Sequence, residues 1–334
     1  MKRVTVLGAG GWGTALTVHL RRVGHQVRLW ARDPELAVDL ATRRANPVYL
    51  PDVTLPAGID VTHVLARAVA DADLIVLAIP SHGCRAVVRA AARHMASGVV
   101  LVSAAKGLEA DTMLRMSDVV AQEVDRRHPV VVLSGPSFAM EVAHQLPTAV
   151  LAASSDSRAT ALVQAEFRGP YFRLYGSDDV IGVEIGGAMK NVIAIAAGVV
   201  EGLGLGHNAL AALITRGLAE VTRLACAAGG RRETLAGLSG LGDLVVTCTG
   251  TLSRNRHVGI ELARGRSLAD ILAGMKMIAE GVRTTGAALA LGARYGVELP
   301  IATQMAEVLA GRTDVRTALD ALMLRRQRSE TESV

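Results

Sequence analysis

The chain has 334 residues, half of them hydrophobic and a fifth charged; at roughly 100–200 residues per domain this predicts two domains or one large one and excludes global disorder. Aromatic residues make up only 3%, so the core must be built from Ala, Val, Leu and Ile, and 36 Lys and Arg against 31 Asp and Glu leave a net charge of +5. The basic residues are scattered and lack interleaved aromatics, which argues against a nucleic-acid partner, whereas a modest positive balance suits an anionic small molecule.

Residues 4–7 are a short apolar run ending in glycines, the pattern of a buried strand. Helical spacing follows over 14–23 and stops at Gly24, and 27–30 reads as the next strand. Asp33 then supplies an N-cap with Pro34 at the first helical position. The apolar runs 74–79 (closed by Pro80-Ser81), 99–103, 130–133 and 149–153 continue the series. Strands alternating with helices predict an α/β fold with a parallel, doubly wound sheet, and wholly apolar strands fit a sheet covered on both faces. From about Asp178 the pattern becomes long and helical, as over 181–200 and 209–228. The expected division is a sheet domain over 1–180, an all-helical second domain over 181–325, and a polar tail over 326–334.

No apolar run approaches 18 residues, so no transmembrane helix is expected. Met1-Lys2-Arg3 with the following apolar stretch imitates a signal peptide, but the glycine cluster breaks it at once. Cys84, Cys226 and Cys248 are far apart and form no metal-binding spacing, which predicts a reducing compartment without disulfides or a structural metal. No internal repeat is apparent.

Gly8-Ala9-Gly10-Gly11-Trp12-Gly13 reads G-x-G-x-x-G between a predicted strand and a predicted helix. In a dinucleotide site Gly8 allows the tight turn, Gly10 lets the backbone approach a pyrophosphate, and Gly13 lets helix and strand pack closely. The helix N-terminus then offers free N–H groups to the phosphates. The competing reading is an ordinary glycine-rich turn. The second strand ends in Trp30-Ala31-Arg32, without the carboxylate that would bind the ribose 2′-hydroxyl of NAD. Arg32 can instead pair with the 2′-phosphate of NADPH, which favours NADPH over NADH. The alternative makes Arg32 a solvated loop residue and Asp33 the ribose ligand, although Asp33 before Pro34 is better explained as a cap.

Lys190 lies in an apolar helical stretch beside Gly186-Gly187, with no acid three or four residues away. Such a lysine is either a snorkelling surface residue or a functional ammonium, and the glycine pair implies close approach to the helix backbone. Asp243 follows three glycines in a loop-like setting. Ser253-Arg254-Asn255 presents a hydroxyl, a guanidinium and an amide in sequence, either a phosphate clamp or a polar turn. Lys106 and the segment Gly135-Pro136-Ser137-Phe138-Ala139 each follow a predicted strand, at the edge where open α/β sheets bind ligands.

Taken in order and spacing, the glycine motif, Ala105-Lys106-Gly107, Gly135–Ala139, Lys190-Asn191, Gly240-Leu241-Gly242-Asp243-Leu244, Ser253-Arg254-Asn255 and Glu280-Gly281 resemble the bacterial NAD(P)-dependent glycerol-3-phosphate dehydrogenase family, from Gly8 to about Arg316. The resemblance implies a Rossmann-like first domain and a reversible hydride transfer between NAD(P)H and dihydroxyacetone phosphate, supplying glycerol 3-phosphate for phospholipid synthesis in the cytoplasm. It implies that Gly11, Trp12, Arg32, Ala139, Ile278 and Glu280 bind the cofactor. Lys106 would lie between cofactor and substrate. Gly135, Ser137, Asp243, Ser253, Arg254 and Asn255 would hold glycerol 3-phosphate, with Arg254 also near the cofactor and Lys190 as the acid/base. Asp243 would orient Lys190 or a substrate hydroxyl, and no metal is implied. The chain departs from the family at Gly11, where many members carry Ser; the position acts through its backbone N–H, so cofactor binding is expected to survive. The alternatives are a dehydrogenase of the 3-hydroxyacid or 6-phosphogluconate type and a non-catalytic NADPH-binding regulator. The apolar helices can also bury a homodimer interface.

Overall fold

In the computed structural model, which describes residues 1–124, 127–275, 277–327 and 329, the apolar run ahead of the glycines forms β1 (Arg3–Leu7). The other strands are β2 (Gln26–Trp30), β3 (Ala45–Asn46), β4 (Leu50–Thr54), β5 (Ile59–Thr62), β6 (Leu74–Leu77), β7 (Val100–Ser103), β8 (Val130–Ser134), β9 (Thr148–Ala153) and β10 (Phe172–Ser177). Between them lie α1 (Gly11–Arg22), α2 (Pro34–Arg43), α3 (Leu65–Val69), α4 (Ser81–Ala92), α5 (Met116–Glu123), α6 (Ala139–Ala143) and α7 (Ser157–Phe167). Most of the expected tail, residues 328 and 330–334, lies outside the described residues.

The first half is a Rossmann-like, parallel-dominated sheet of eight strands in the order β10-β9-β8-β7-β6-β1-β2-β5. Every residue of β6 and β7 is buried, as two-sided helix cover requires. The parallel, doubly wound sheet read from the sequence is present with one exception: β9 runs antiparallel to β8, pairing Val132 with Ala153 and Ser134 with Leu151. The connection holds only the five-residue α6 and turns the chain back on itself. An apolar run reads the same in either direction, so the pattern did not separate the two. The strands β3 and β4 form a separate antiparallel hairpin.

After Ser177 the described chain is helical: α8 (Val180–Gly202), α9 (Gly206–Ala227), α10 (Arg232–Leu235), a π-helical turn over Leu238–Gly242, α11 (Asp243–Thr249), α12 (Arg254–Ala263), α13 (Leu268–Ala273), α14 (Glu280–Tyr295), α15 (Pro300–Leu309) and α16 (Val315–Met323). The second core gathers around α8, which is buried from Gly182 to Val200. A helix apolar on all sides belongs inside a core. The expectation from unbroken apolar runs understated α8, because its 23 residues are long and apolar enough by length and composition to cross a membrane. Here 89% of an 18-residue window of it is buried against its neighbours, as in a core helix.

Two features aim this framework at one place. The parallel strands β1, β6, β7 and β8 end on the same edge, delivering Gly8, Ser81, Lys106 and Gly135. Across that edge α8 and α12 cross in backbone contact: a Cβ on Gly198 would lie 1.9 Å from the Arg256 carbonyl oxygen, and one on Gly259 would lie 1.9 Å from that of Ile195.

Candidate active site

The glycine motif makes the tight turn and the close helix–strand packing that its spacing predicts. Gly8 has φ +113°, and a Cβ there would lie 2.4 Å from the Ala78 carbonyl oxygen. At Gly13 a Cβ would lie 1.9 Å from the Gly8 carbonyl oxygen. Gly10 caps α1 without any side chain bonding the first turn, and a Cβ on it would meet nothing within 4 Å. Open space beside free helix N–H groups is the cradle a dinucleotide phosphate fits. Trp12 packs against the first core, and its indole Nε1 is buried without a partner. Ala139 opens α6, with its Cβ 3.8 Å from the place a Gly11 Cβ would take.

The loop is held by Asn46, which the sequence reading missed. Its Nδ2 donates to the Ala9 carbonyl at 2.9 Å and to Thr14 Oγ1 at 2.8 Å, and its Oδ1 accepts from the Tyr49 N–H at 3.2 Å. The hairpin of β3 and β4 is thereby drawn over α1. The Tyr49 carbonyl oxygen comes within 2.7 Å of a Gly11 Cβ position, so a side chain there would require that carbonyl to shift. Arg32 is exposed just past β2, and Asp33 accepts from the Glu35 N–H at 2.9 Å, so Asp33 is a helix cap, as expected.

Three charged groups from distant parts of the chain meet opposite this loop. Asp243 is buried, with 1% of its surface exposed. It takes Lys190 Nζ on Oδ1 at 2.5 Å and Lys106 Nζ on Oδ2 at 2.7 Å. Lys190 also donates to Thr247 Oγ1 at 2.9 Å. Lys106 donates further to the Gly135 carbonyl at 2.7 Å and to Ser137 Oγ at 3.3 Å, while Ser137 Oγ donates to the same carbonyl at 2.8 Å.

Lys190 is therefore not a snorkelling surface residue. Burial lowers its pKa from 10.5 to about 8, Lys106 acts in the same direction, and Asp243 opposes both. The glycine pair makes the approach possible. A Cβ on Gly187 would lie 2.8 Å from Ser134 Oγ and 3.7 Å from Lys106 Cγ, and one on Gly186 would lie 2.7 Å from the Ser239 carbonyl oxygen. Asp243 is not in a loop: it opens α11 directly after the π-helical turn.

The segment 253–255 is an N-terminus rather than an open turn. Ser253 caps α12, its hydroxyl accepting from the Arg256 N–H. Asn255 donates to Asn191 Oδ1 at 2.8 Å and accepts from the Gly281 N–H at 3.0 Å. Asn191 in turn donates to the Lys106 carbonyl at 3.4 Å. This chain of amides ties α12, α8 and α14 to the Lys106 loop. Arg254 donates to the Ile278 carbonyl at 2.7 Å, and the rest of its guanidinium fork has no hydrogen-bond partner among the described residues. Glu280 accepts from the Ser81 N–H at 3.2 Å and Ser81 Oγ at 2.7 Å, which fastens α14 to α4. Of the contributors that went unassigned, Thr247 had a signal in the sequence, its i, i+4 spacing from Asp243, once that stretch is helical.

A family model described as the N-terminus of NAD-dependent glycerol-3-phosphate dehydrogenase matches residues 3–160, and its C-terminal counterpart matches residues 179–320. The chain is 53% identical over 275 residues to the glycerol-3-phosphate dehydrogenase (NAD(P)+) of Koribacter versatilis, covering 81% of this chain and 82% of the relative. It is 52% identical over 276 residues to that of Geobacter metallireducens, again covering 81% and 82%. A crystal structure of glycerol-3-phosphate dehydrogenase from Coxiella burnetii superposes with a TM-score of 0.94 at 37% identity, covering 97% of this chain and 99% of that one.

Proposed function

The chain belongs to the NAD-dependent glycerol-3-phosphate dehydrogenase family and is an NAD(P)-dependent oxidoreductase of that activity; on this premise we propose how its residues divide the work. The observation that carries the assignment is the buried Lys190–Asp243–Lys106 cluster, set beside Gly135 and Ser137 at the ligand-binding edge of the sheet. When bound, a reduced nicotinamide supplies the hydride. The substrate ketone oxygen gains negative charge as its carbon is reduced. The Lys190 ammonium stabilises that charge and donates the proton. Lys106 adds a second positive charge, and Asp243 holds both lysines in place. Thr247 Oγ1 accepts a hydrogen bond from Lys190 Nζ and so fixes where the ammonium points.

Arg254, with the Ser253 hydroxyl and the second Asn255 N–H, anchors the substrate phosphate; this remote binding positions the ketone. Residues 1–180 carry most of the cofactor site, and 181–325 supply the acid/base, the phosphate anchor and the cofactor contacts of Arg254, Ile278 and Glu280. The division is supported by the last strand ending at Ser177 and α8 starting at Val180. NADPH is the preferred cofactor, supported by an exposed Arg32, with no partner among the described residues, and by the commitment of Asp33 to its cap. The free thiols of Cys84, Cys226 and Cys248 suit a cytoplasmic setting.

The test is oxidation of reduced nicotinamide in the presence of dihydroxyacetone phosphate, followed by absorbance with NADPH and with NADH. Faster NADPH oxidation is expected; faster NADH oxidation removes the role given to Arg32. Arg254→Ala should raise KM for dihydroxyacetone phosphate far more than it lowers kcat. An equal effect on unphosphorylated dihydroxyacetone would end the phosphate-anchor assignment.

A further inference from the structure

We propose that His82 and Arg283 complete, with Arg32, an anion pocket at the carboxyl edge of β2 and β6 that takes the adenosine 2′-phosphate of NADPH. The inference rests on the NADPH reading above and names the residues that read the phosphate.

Three elements converge there. Arg32 leaves the end of β2, which lies beside β1, which in turn lies beside β6. His82 stands in the first turn of α4, immediately after Ser81. The Ser81–Glu280 hydrogen bonds clamp that turn onto the start of α14, and Arg283 lies one turn further along α14, on the same face as Glu280. The three side chains are near enough to be felt electrostatically: burial lowers the His82 pKa first, Arg283 and Arg32 lower it further, and Glu280 opposes them.

All three residues are exposed. None makes a hydrogen bond or ion pair among the described residues, whereas Asp33, next to Arg32, is turned to its helix cap. The carboxylate that opposes them, Glu280, already accepts two bonds from Ser81. The two guanidiniums outnumber that single carboxylate, an excess of positive charge that an arriving anion offsets, and the largely neutral His82 imidazole can donate a hydrogen bond to it. A phosphate monoester carries about −1.5 to −2 charges at neutral pH and matches a guanidinium fork. The pocket lies on the adenosine side of the glycine loop, where the second strand ends.

The test is calorimetric titration of the full chain with 2′,5′-ADP and with 5′-AMP, for the wild type and for Arg32→Gln, His82→Gln and Arg283→Gln. The wild type should bind 2′,5′-ADP at least tenfold more tightly than 5′-AMP. Arg283→Gln should weaken 2′,5′-ADP about tenfold and 5′-AMP less than twofold, because one charge-assisted bond is removed. His82→Gln should give a smaller loss with the same selectivity. If Arg32→Gln alone removes the discrimination while the other two variants bind as wild type, the NADPH reading stands and the pocket is refuted. Equal losses on both ligands would also refute it, by giving His82 and Arg283 a part unrelated to the 2′-phosphate. A wild type that does not distinguish the ligands overturns the NADPH reading and the pocket together.

Discussion

Lys190 is an ammonium placed where ammonium is costly. Taking a single ion out of water costs several kcal/mol even after relaxation, and here the cost is offset by one carboxylate shared with Lys106. The balance leaves a proton that can leave: burial brings the Lys190 pKa down to about 8. The sign of the pH dependence follows. Ketone reduction requires protonated Lys190, so kcat in that direction should hold below about 8 and fall as pH rises through it; alcohol oxidation requires the neutral amine and should rise over the same interval. Since Asp243 raises the Lys190 pKa, Asp243→Asn should move the falling limb to lower pH, as pH profiles of both forms would reveal. An unmoved limb would assign that proton to another group. Replacing the ammonium altogether, Lys190→Ala should lower kcat by about 10²–10⁴-fold with the circular dichroism spectrum unchanged, and a near-normal rate would remove Lys190 from the acid/base role.

These residues act together because elements hold them, and the tightest junction is the crossing of α8 and α12. One helix carries Lys190 and Asn191, the other Ser253 at its cap and Arg254 and Asn255 in its first turn. At Gly259 a methyl group would sit 1.9 Å from the Ile195 carbonyl oxygen and 2.8 Å from the Val199 nitrogen. Both are backbone atoms of a helix packed on several sides, so the crossing must open. Gly259→Ala should therefore lose about 3 kcal/mol in urea denaturation and raise KM for dihydroxyacetone phosphate as Asn255 draws away from Asn191; a loss below about 0.5 kcal/mol would mean the crossing is looser than drawn. None of this was legible in the sequence, where Gly198 and Gly259 are two glycines among 34. What was legible depended on local chemistry. The strands β6 and β7 announce themselves because both faces are apolar, and the glycine motif because backbone conformation demands it. The strand β10 was missed since Phe172 and Leu174 are buried between exposed Arg173 and Tyr175, a half-covered edge strand rather than an apolar run. The helix α11 was missed since glycines at 237, 240 and 242 announce a loop, yet they form a π-helical turn whose Gly240 packs directly on the Leu235 backbone. The Lys190–Asp243 pair spans 53 positions, and only a tertiary fold can reveal such a contact; the sequence showed the residue types and the glycines that let them meet.

On the scale of the whole molecule, three of the polar junctions between the sheet and the helical layer differ in character. Two lie at the site: Lys106 to Asp243, and Ser81 to Glu280. The third lies near the start of α8, where buried Glu184 accepts from the Ser117 N–H at 2.8 Å and from Ser117 Oγ, and pairs with Arg115 at 3.2 Å. It is set back from the chemistry, since Glu184 lies six positions before Lys190, about 9 Å along the helix. Fold and function can thus be separated by choosing which junction to cut. Removing one partner of a buried, hydrogen-bonded ion pair costs about 3–5 kcal/mol, so Glu184→Ala should lower the urea midpoint accordingly. The same variant, assayed at low temperature where it is still folded, should keep kcat and both KM values within about twofold, because α8 remains held beside the site by α9, α11, α12 and α14. A large fall in kcat without loss of stability would reverse the assignment and show that the start of α8 sets the position of Lys190. Loss of both together, with kcat restored by raising the NADPH concentration, would show that this junction governs how the two layers close on the cofactor.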